Sequence, residues 1–215
     1  MQLLTQTKTL AKTVLPNDLV VKIQSSLHIL SVSRRGFDLH LNSPDRYVLE
    51  DIIIPNLVAQ KELYKILFLG CNWYTKPYKK YFRKEYWTIE IARSKSKFGS
   101  KRHIVDTLQN LGKYVEDEYF DLIVCNGVFG WGINNKYDTE LAIKQCHICL
   151  RKNGILVLGW NDVSTYRPYF AMGKCENLSK FTPYLFPSLA TTQYLTQDSP
   201  TNHTYSFYIK HSGNG

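Results

Sequence analysis

Three positions carry the chemistry that the sequence suggests first: Gly70, Glu90 and Asp106. Gly70 ends the apolar run Ile66-Leu67-Phe68-Leu69, which reads as a strand buried on both faces. In open α/β sheets a ligand binds beyond the carboxyl ends of the strands, and a glycine there lets backbone approach it closely. Residues 70 to 75, Gly70-Cys71-Asn72-Trp73-Tyr74-Thr75, are therefore the expected cofactor turn. Glu90 closes a second strand-like run, Tyr86 to Ile91, and falls ~20 residues after the glycine, where a mononucleotide fold places its ribose-binding acid. A carboxylate accepts several hydrogen bonds and so suits a vicinal diol. Asp106 follows a third short strand, His103-Ile104-Val105.

Further along, Phe120 to Cys125 is another buried strand. It runs into Asn126-Gly127-Val128-Phe129-Gly130-Trp131-Gly132, where three glycines among aromatics imply backbone packed closely against a flat group. Asp162, after the strand Ile155 to Trp160, and His203, before the last strand, are the two candidates for a general base. Both also fit structural roles, as a cap or a hydrogen-bond partner. Cys146-His147-Ile148-Cys149 has the spacing of a metal pair, but zinc takes four ligands and no second pair completes them, so no metal is expected.

These residues need a framework. Helices are expected over residues 18 to 32, over 46 to 60 with a kink at Pro55, over 78 to 84 and over 137 to 150, with a helix or turn over 108 to 114. Basic residues and Gly154 mark the end of the helix at 150. Thr191 to Thr196 and His203 to Lys210 read as two strands of an antiparallel hairpin joined by residues 197 to 202. The fold class is thus α/β: a Rossmann-like, seven-stranded, mostly parallel sheet with helices on both faces and a C-terminal antiparallel hairpin. Residues 1–45 form an N-terminal helical extension or lid and 46–215 the main domain. Within it, 163–187 is an aromatic cap insertion, too long and irregular for an ordinary connection.

The order of elements, more than any single motif, resembles the class I S-adenosylmethionine-dependent methyltransferases over residues 46 to 210. Where that family reads acid-x-glycine-x-glycine-x-glycine after its first strand, Phe68 replaces the acid, Gly70 matches the first glycine, and Asn72 and Tyr74 replace the others. The resemblance implies S-adenosylmethionine as cofactor, with Glu90 and Ile91 at the ribose and Asp106, Thr107 and Leu108 around the adenine. The Asn126-Gly127-Val128 turn and residues 70 to 75 would lie on the methionine side. Trp131, Trp160, Tyr166 and Tyr169 are the expected acceptor contacts, the aromatic content favouring an apolar or aromatic small molecule or a peptide segment.

Charge narrows the partner. The formal net charge is +9, and residues 75 to 102 hold ten basic side chains against two acids. This segment is expected to guide an anionic acceptor or partner, since nucleic-acid binding needs stacking aromatics along a groove as well, and Tyr78, Tyr81 and Phe82 fit a core equally. No run approaches a membrane span or the apolar block of a secretory signal, and an odd five cysteines point to a reducing cytoplasm. Two readings compete with methyl transfer. One is a catalytically inactive cofactor-binding partner protein. The other is an NADP-dependent oxidoreductase, in which Arg93 and Lys95 would receive a 2′-phosphate behind Glu90.

Overall fold

The computed structural model describes residues 41–82, 85–173 and 175–211. The chain divides into two compact units, Met1–His40 and Leu41–Gly215. The expected helix over 18–32 lies outside the described residues, as does all of the 1–45 extension except 41–45.

The described unit begins with one helical stretch of three parts: α1 (Pro44–Tyr47), a π-helical turn (Val48–Ile53) and α2 (Ile54–Ala59). The kink expected at Pro55 takes the form of that π turn. Proline has no N–H to give and its ring crowds the carbonyl four residues back, so the turn ahead of it widens and Ile54 N–H donates to Leu49 O, five residues back.

The strands are β1 (Lys65–Leu69), β2 (Glu85–Ile89), β3 (Arg102–Ile104), β4 (Phe120–Asn126), β5 (Leu150–Asn161), β6 (Thr182–Pro183), β7 (Gln193–Leu195) and β8 (His203–Ile209). They order as β3-β2-β1-β4-β5-β8-β6, and β7 also pairs with β8. β1 to β5 are mutually parallel, while β8 runs antiparallel to β5 and to both β6 and β7. The sheet has eight strands where seven were expected, yet it is seven positions wide, because β6 and β7 follow one another along the same edge of β8. The chain moves outward from β1 through β2 to β3 and then returns to the other side of β1 for β4. That reversal opens a crevice beyond the carboxyl ends of β1 and β4.

Alternation along the strands feeds two apolar layers. Leu67, Leu69, Ile123 and Cys125 face α4 (Lys136–Cys149) and the 3₁₀ segment Leu108–Lys113. Ile66, Phe68, Leu122 and Val124 face Leu49, Ile53, Leu57 and Tyr78, the last on the single turn α3 (Tyr78–Tyr81). The helix expected over 78–84 is thus only one turn, and the 108–114 stretch is a 3₁₀ segment. The aromatics of 163–187 mostly complete these layers: Phe170 packs edge-on against Phe129 and Trp160, and Phe186 stacks on Phe207 at 4.4 Å. Cys146 and Cys149 are buried in the first layer.

Candidate functional site

At the crevice a cavity of about 300 Å³ is bounded by residues from the ends of β1, β2, β3 and β4. Gly70 terminates β1 with φ of 83°, the left-handed region open to glycine. A Cβ there would meet only ordinary contacts, Asn126 O at 3.5 Å and Val128 Cγ2 at 3.6 Å, so backbone conformation rather than crowding demands the glycine.

Glu90 stands one residue beyond β2 and turns its carboxylate back across the crevice. Oε2 accepts from Cys71 N–H at 3.2 Å and Oε1 from Ala92 N–H at 2.9 Å. Each oxygen is thus oriented by one backbone N–H and keeps acceptor capacity towards the cavity that it lines. Lys95 also lines the cavity, with Nζ 3.7 Å from Glu90 Oε2.

Asp106 is fixed by Thr107 N–H at 2.7 Å and Asn110 Nδ2 at 2.9 Å on Oδ1, and by Tyr114 OH at 2.7 Å on Oδ2. Those donors, the Asn110 amide and Tyr114 hydroxyl foremost, pull its carboxyl down to about 2. Ile89, Leu108, Val128 and Ile133 add apolar wall, and Trp131 closes one side.

Of the residues expected from the sequence, Gly70, Glu90, Ile91, Asp106, Thr107, Leu108, Gly127, Val128 and Trp131 line this cavity. Cys71 to Thr75 do not. They form a 3₁₀ turn (Trp73–Thr75) capped by Asn72, whose N–H donates to Thr75 Oγ1 and whose Oδ1 accepts from Trp73 N–H. Cys71 is buried, which pushes its thiol up to about 11, and it reaches the site only through its N–H to Glu90. Sequence reasoning missed Lys95 as a cavity residue of the methyl-donor reading, together with Gln109 and Ile133, which have no motif of their own.

The acceptor candidates separate. Trp131, 54% exposed, stacks on Tyr166 with ring centres 4.0 Å apart and planes within 10°. Gly130 holds that pair together: its φ is 86° and a Cβ would overlap the Tyr166 carbonyl. Trp160, expected at the acceptor, is instead a core residue, 6% exposed, with Nε1 donating to Ser206 Oγ at 3.1 Å. Side chains alternate along β5, and Trp160 falls on the face that packs against Phe170. Tyr169 is half-buried in a 3₁₀ turn, Tyr169–Met172, away from the cavity lining.

Neither base candidate lines the cavity. Asp162 is ion-paired with Arg167. His203 is 4% exposed, with Nδ1 2.7 Å from Asn161 Oδ1 and Nε2 3.0 Å from Asn126 Oδ1. Burial drives its pKa down to about 4, with Asp45 opposing and Arg46 aiding the shift. Asn126, expected at the methionine side, directs its carboxamide to this histidine, and only its backbone carbonyl faces Gly70.

Four basic residues of the 75–102 segment fall at the two ends of the sheet. Lys95 is in the cavity, whereas Lys79, Lys101 and Arg102 line a separate cleft at the amino ends of β1 to β3.

Residues 68–158 match the family described as "Methyltransferase domain". A comparison with curated proteins by sequence finds no match. Solved structures share the fold over most of the chain. The N-methyltransferase NodS from Bradyrhizobium japonicum WM9 is 13% identical, with a TM-score of 0.60 over 80% of this chain and 98% of that one. A TehB-like SAM-dependent methyltransferase from Corynebacterium glutamicum is 14% identical, with a TM-score of 0.58 over 87% and 96%. The 1,6-didemethyltoxoflavin-N1-methyltransferase of Burkholderia thailandensis is 8% identical, with a TM-score of 0.50 over 93% and 92%.

Proposed function

We propose that the protein is a class I S-adenosylmethionine-dependent methyltransferase, binding S-adenosylmethionine in the cavity at the ends of β1 to β4; residues 68–158 match a methyltransferase domain, and solved methyltransferases share the fold. The observation that carries this is Glu90: a carboxylate one residue past β2, oriented by two backbone N–H groups, with an open face on a cavity floored by the left-handed Gly70.

The residues fit that cofactor. Glu90 can take both ribose hydroxyls, one on each oxygen. Asp106 has three of its roughly four acceptor positions filled, leaving about one for an adenine amino group. Ile89, Leu108, Val128 and Ile133 supply apolar walls for a flat base. Bound there, S-adenosylmethionine supplies an electrophilic methyl on a sulfonium. The protein's own task is to align a nucleophile with it in line and to exclude water, which needs no general base unless the nucleophile must lose a proton first.

The acceptor reading is a small molecule or peptide segment approaching past Trp131 and Tyr166, and 163–187 contributes to the cover of the site through Tyr166 alone of its aromatics. The 1,6-didemethyltoxoflavin methyltransferase, whose acceptor is a small molecule, shares the fold over most of this chain. Five free, buried cysteines fit a reducing compartment such as the cytoplasm, and among the described residues no helix is long and apolar enough to cross a membrane.

One observation favours a second reading. Lys95 beside Glu90 is where a 2′-phosphate would bind in an NADP-dependent oxidoreductase. Calorimetry with S-adenosylmethionine, S-adenosylhomocysteine, NAD and NADP separates the two. Micromolar binding of the first pair alone supports methyl transfer, and binding of NADP alone overturns it.

A further inference from the structure

Of the basic side chains between residues 75 and 102, Lys95 alone lines the cofactor cavity among the described residues. Lys79, Lys101 and Arg102 instead bound the cleft at the amino ends of β1 to β3. The five residues of β2, at ~3.3 Å each, put about 17 Å between the two sites. All three cations are exposed, and among the described residues none of them forms a salt bridge. The cleft has a volume of about 470 Å³. Phe82 and Tyr86, buried and stacked 5.0 Å apart, line it from the core side, and Tyr64 lines it with its residue 56% exposed. Its one acid, Glu85, is already engaged: Oε1 accepts from Trp87 Nε1 at 2.9 Å and from the Tyr119 hydroxyl.

A second cleft, of about 350 Å³, adjoins the first and is lined by Trp87, Tyr114 and Tyr119 with Lys113, Val115 and Glu116. Arg102 joins the two, since it lines the first while its guanidinium lies 5.4 Å from the Trp87 ring centre. Lys65 Nζ sits 4.0 Å over the Tyr119 ring. Tyr114 is 45% exposed, and its hydroxyl is tied to Asp106, so the ring is held in place before any ligand arrives. Cations and rings are therefore interleaved along this end of the sheet. The sequence counted against nucleic acid because Tyr78, Tyr81 and Phe82 fit a core, and Tyr78 and Phe82 are indeed buried there. The exposed rings come from Tyr64 and Tyr114, which lie outside the basic segment.

Unpaired cations alone would suit any polyanion. Exposed ring faces beside them narrow the choice, because stacking needs a flat partner that is free on at least one face. A single strand offers phosphates and unstacked bases together. A duplex keeps its bases stacked inside, and an acidic peptide matches the charge but leaves the rings unused. We propose that the amino ends of β1 to β3 form a docking surface for single-stranded nucleic acid, with Lys79, Lys101 and Arg102 taking phosphates and Tyr64 and Tyr114 stacking on bases. Glu116 repels phosphate at the second cleft, so the backbone is read at the first and the second takes a base. The surface is separate from the cofactor cavity and stands independently of what binds there.

Fluorescence anisotropy of a labelled oligouridylate of about 12 nucleotides, titrated with the full chain, tests this. With three phosphates neutralised, the slope of log K against log salt should be about −2, so affinity should fall about twentyfold between ~50 and ~200 mM salt. Lys79→Ala with Lys101→Ala leaves one of the three cations and should flatten that slope to about −0.7. Tyr64→Ala removes an exposed ring and should weaken binding about fivefold to a hundredfold. Lys144→Ala, exposed on α4, has the same effect on net charge as one cleft lysine and should change affinity less than about twofold. No saturable binding below ~0.1 mM overturns the proposal. So does equal affinity for a duplex of the same length, or displacement by polyglutamate as readily as by unlabelled strand. An unchanged slope in the double variant, or a loss from Lys144→Ala equal to that from Tyr64→Ala, would remove the surface from this end of the sheet. Tyr64→Ala within twofold of wild type would reduce it to a site for charge alone and overturn the nucleic-acid assignment. Failure to bind S-adenosylmethionine, measured separately, bears on the cofactor cavity and leaves these outcomes as they stand.

Discussion

Replacing Glu90 by alanine removes the group on which the cofactor assignment turns. Two hydroxyl hydrogen bonds to a carboxylate, at the lower end of ~1.5 kcal/mol each for charged partners, sum to about 3 kcal/mol, or roughly a hundredfold to two-hundredfold in Kd. The wild-type carboxylate also ties Cys71 N–H and Ala92 N–H across the crevice. The variant frees both, but the carboxylate that it removes lines a cavity that water can enter, so the cost to folding should be about 1 to 2 kcal/mol and the protein should remain folded. Glu90→Gln keeps one carbonyl acceptor and should lose only about tenfold. Lys95→Ala provides the control: its ammonium shares Glu90 Oε2, so its loss should leave S-adenosylmethionine binding the same or slightly tighter. Titration calorimetry with S-adenosylmethionine on all three, alongside thermal melts, reads each value. A Glu90→Ala affinity within threefold of wild type, with an unchanged melt, refutes the reasoning, because no other side chain from β2 is placed to hold the ribose.

Three further outcomes follow from the same geometry. His203 has a folded pKa of about 4 against roughly 6.5 when unfolded, so the unfolded chain takes up the proton first. Stability is full above pH 6.5, falls by about 3 kcal/mol as pH drops to 4, and a urea midpoint flat across that window would contradict the buried neutral ring. Asp106, held at about 2 by its three donors, should titrate well below an ordinary aspartate in a carboxylate NMR titration, so ligand binding should show no step from it between pH 4 and 9, and a midpoint near 4 would mean that the Asn110 and Tyr114 contacts do not persist in solution. Gly130→Ala should cost upwards of about 3 kcal/mol, since its Cβ meets the Tyr166 carbonyl at a left-handed φ, whereas Gly127→Ala, left-handed but open, should cost about 1, and equal melting temperatures for the two would remove the role given to the Gly130 contact.

The residues that line the cavity were legible because strand-end chemistry is local. An apolar run ending in glycine, and carboxylates at the next two strand ends, fix both the elements and their functional atoms, and Gly70, Glu90 and Asp106 meet at one cavity. The glycine-poor turn misled in detail: Cys71 to Thr75 fold into a self-capped 3₁₀ turn whose hydrogen bonds are satisfied internally, so the residue types alone suggested ligand contacts that the backbone spends on its own cap. That Trp160 packs in the core was not legible, because nothing in Ile155 to Trp160 says which face a side chain takes, and a buried parallel strand is apolar on both. His203 was recognised as a functional candidate, but its partners are 42 and 77 residues away in the chain. Only the register of β8 against β5, and of β5 against β4, brings the three side chains together and encloses the candidate base between two amides. The width of the sheet was legible, but the sharing of one β8 edge by β6 and β7 was not, since a two-residue strand leaves no periodicity to read.

Direct binding of the cofactor to the wild-type chain tests the central claim. Titrating S-adenosylmethionine into the wild-type chain should give saturable 1:1 binding in the micromolar range, displaced by S-adenosylhomocysteine and weakened about a hundredfold by Glu90→Ala, with no heat from NADP. Binding of NADP in its place, lost on Lys95→Ala, would contradict the assignment and give the cavity to a dinucleotide.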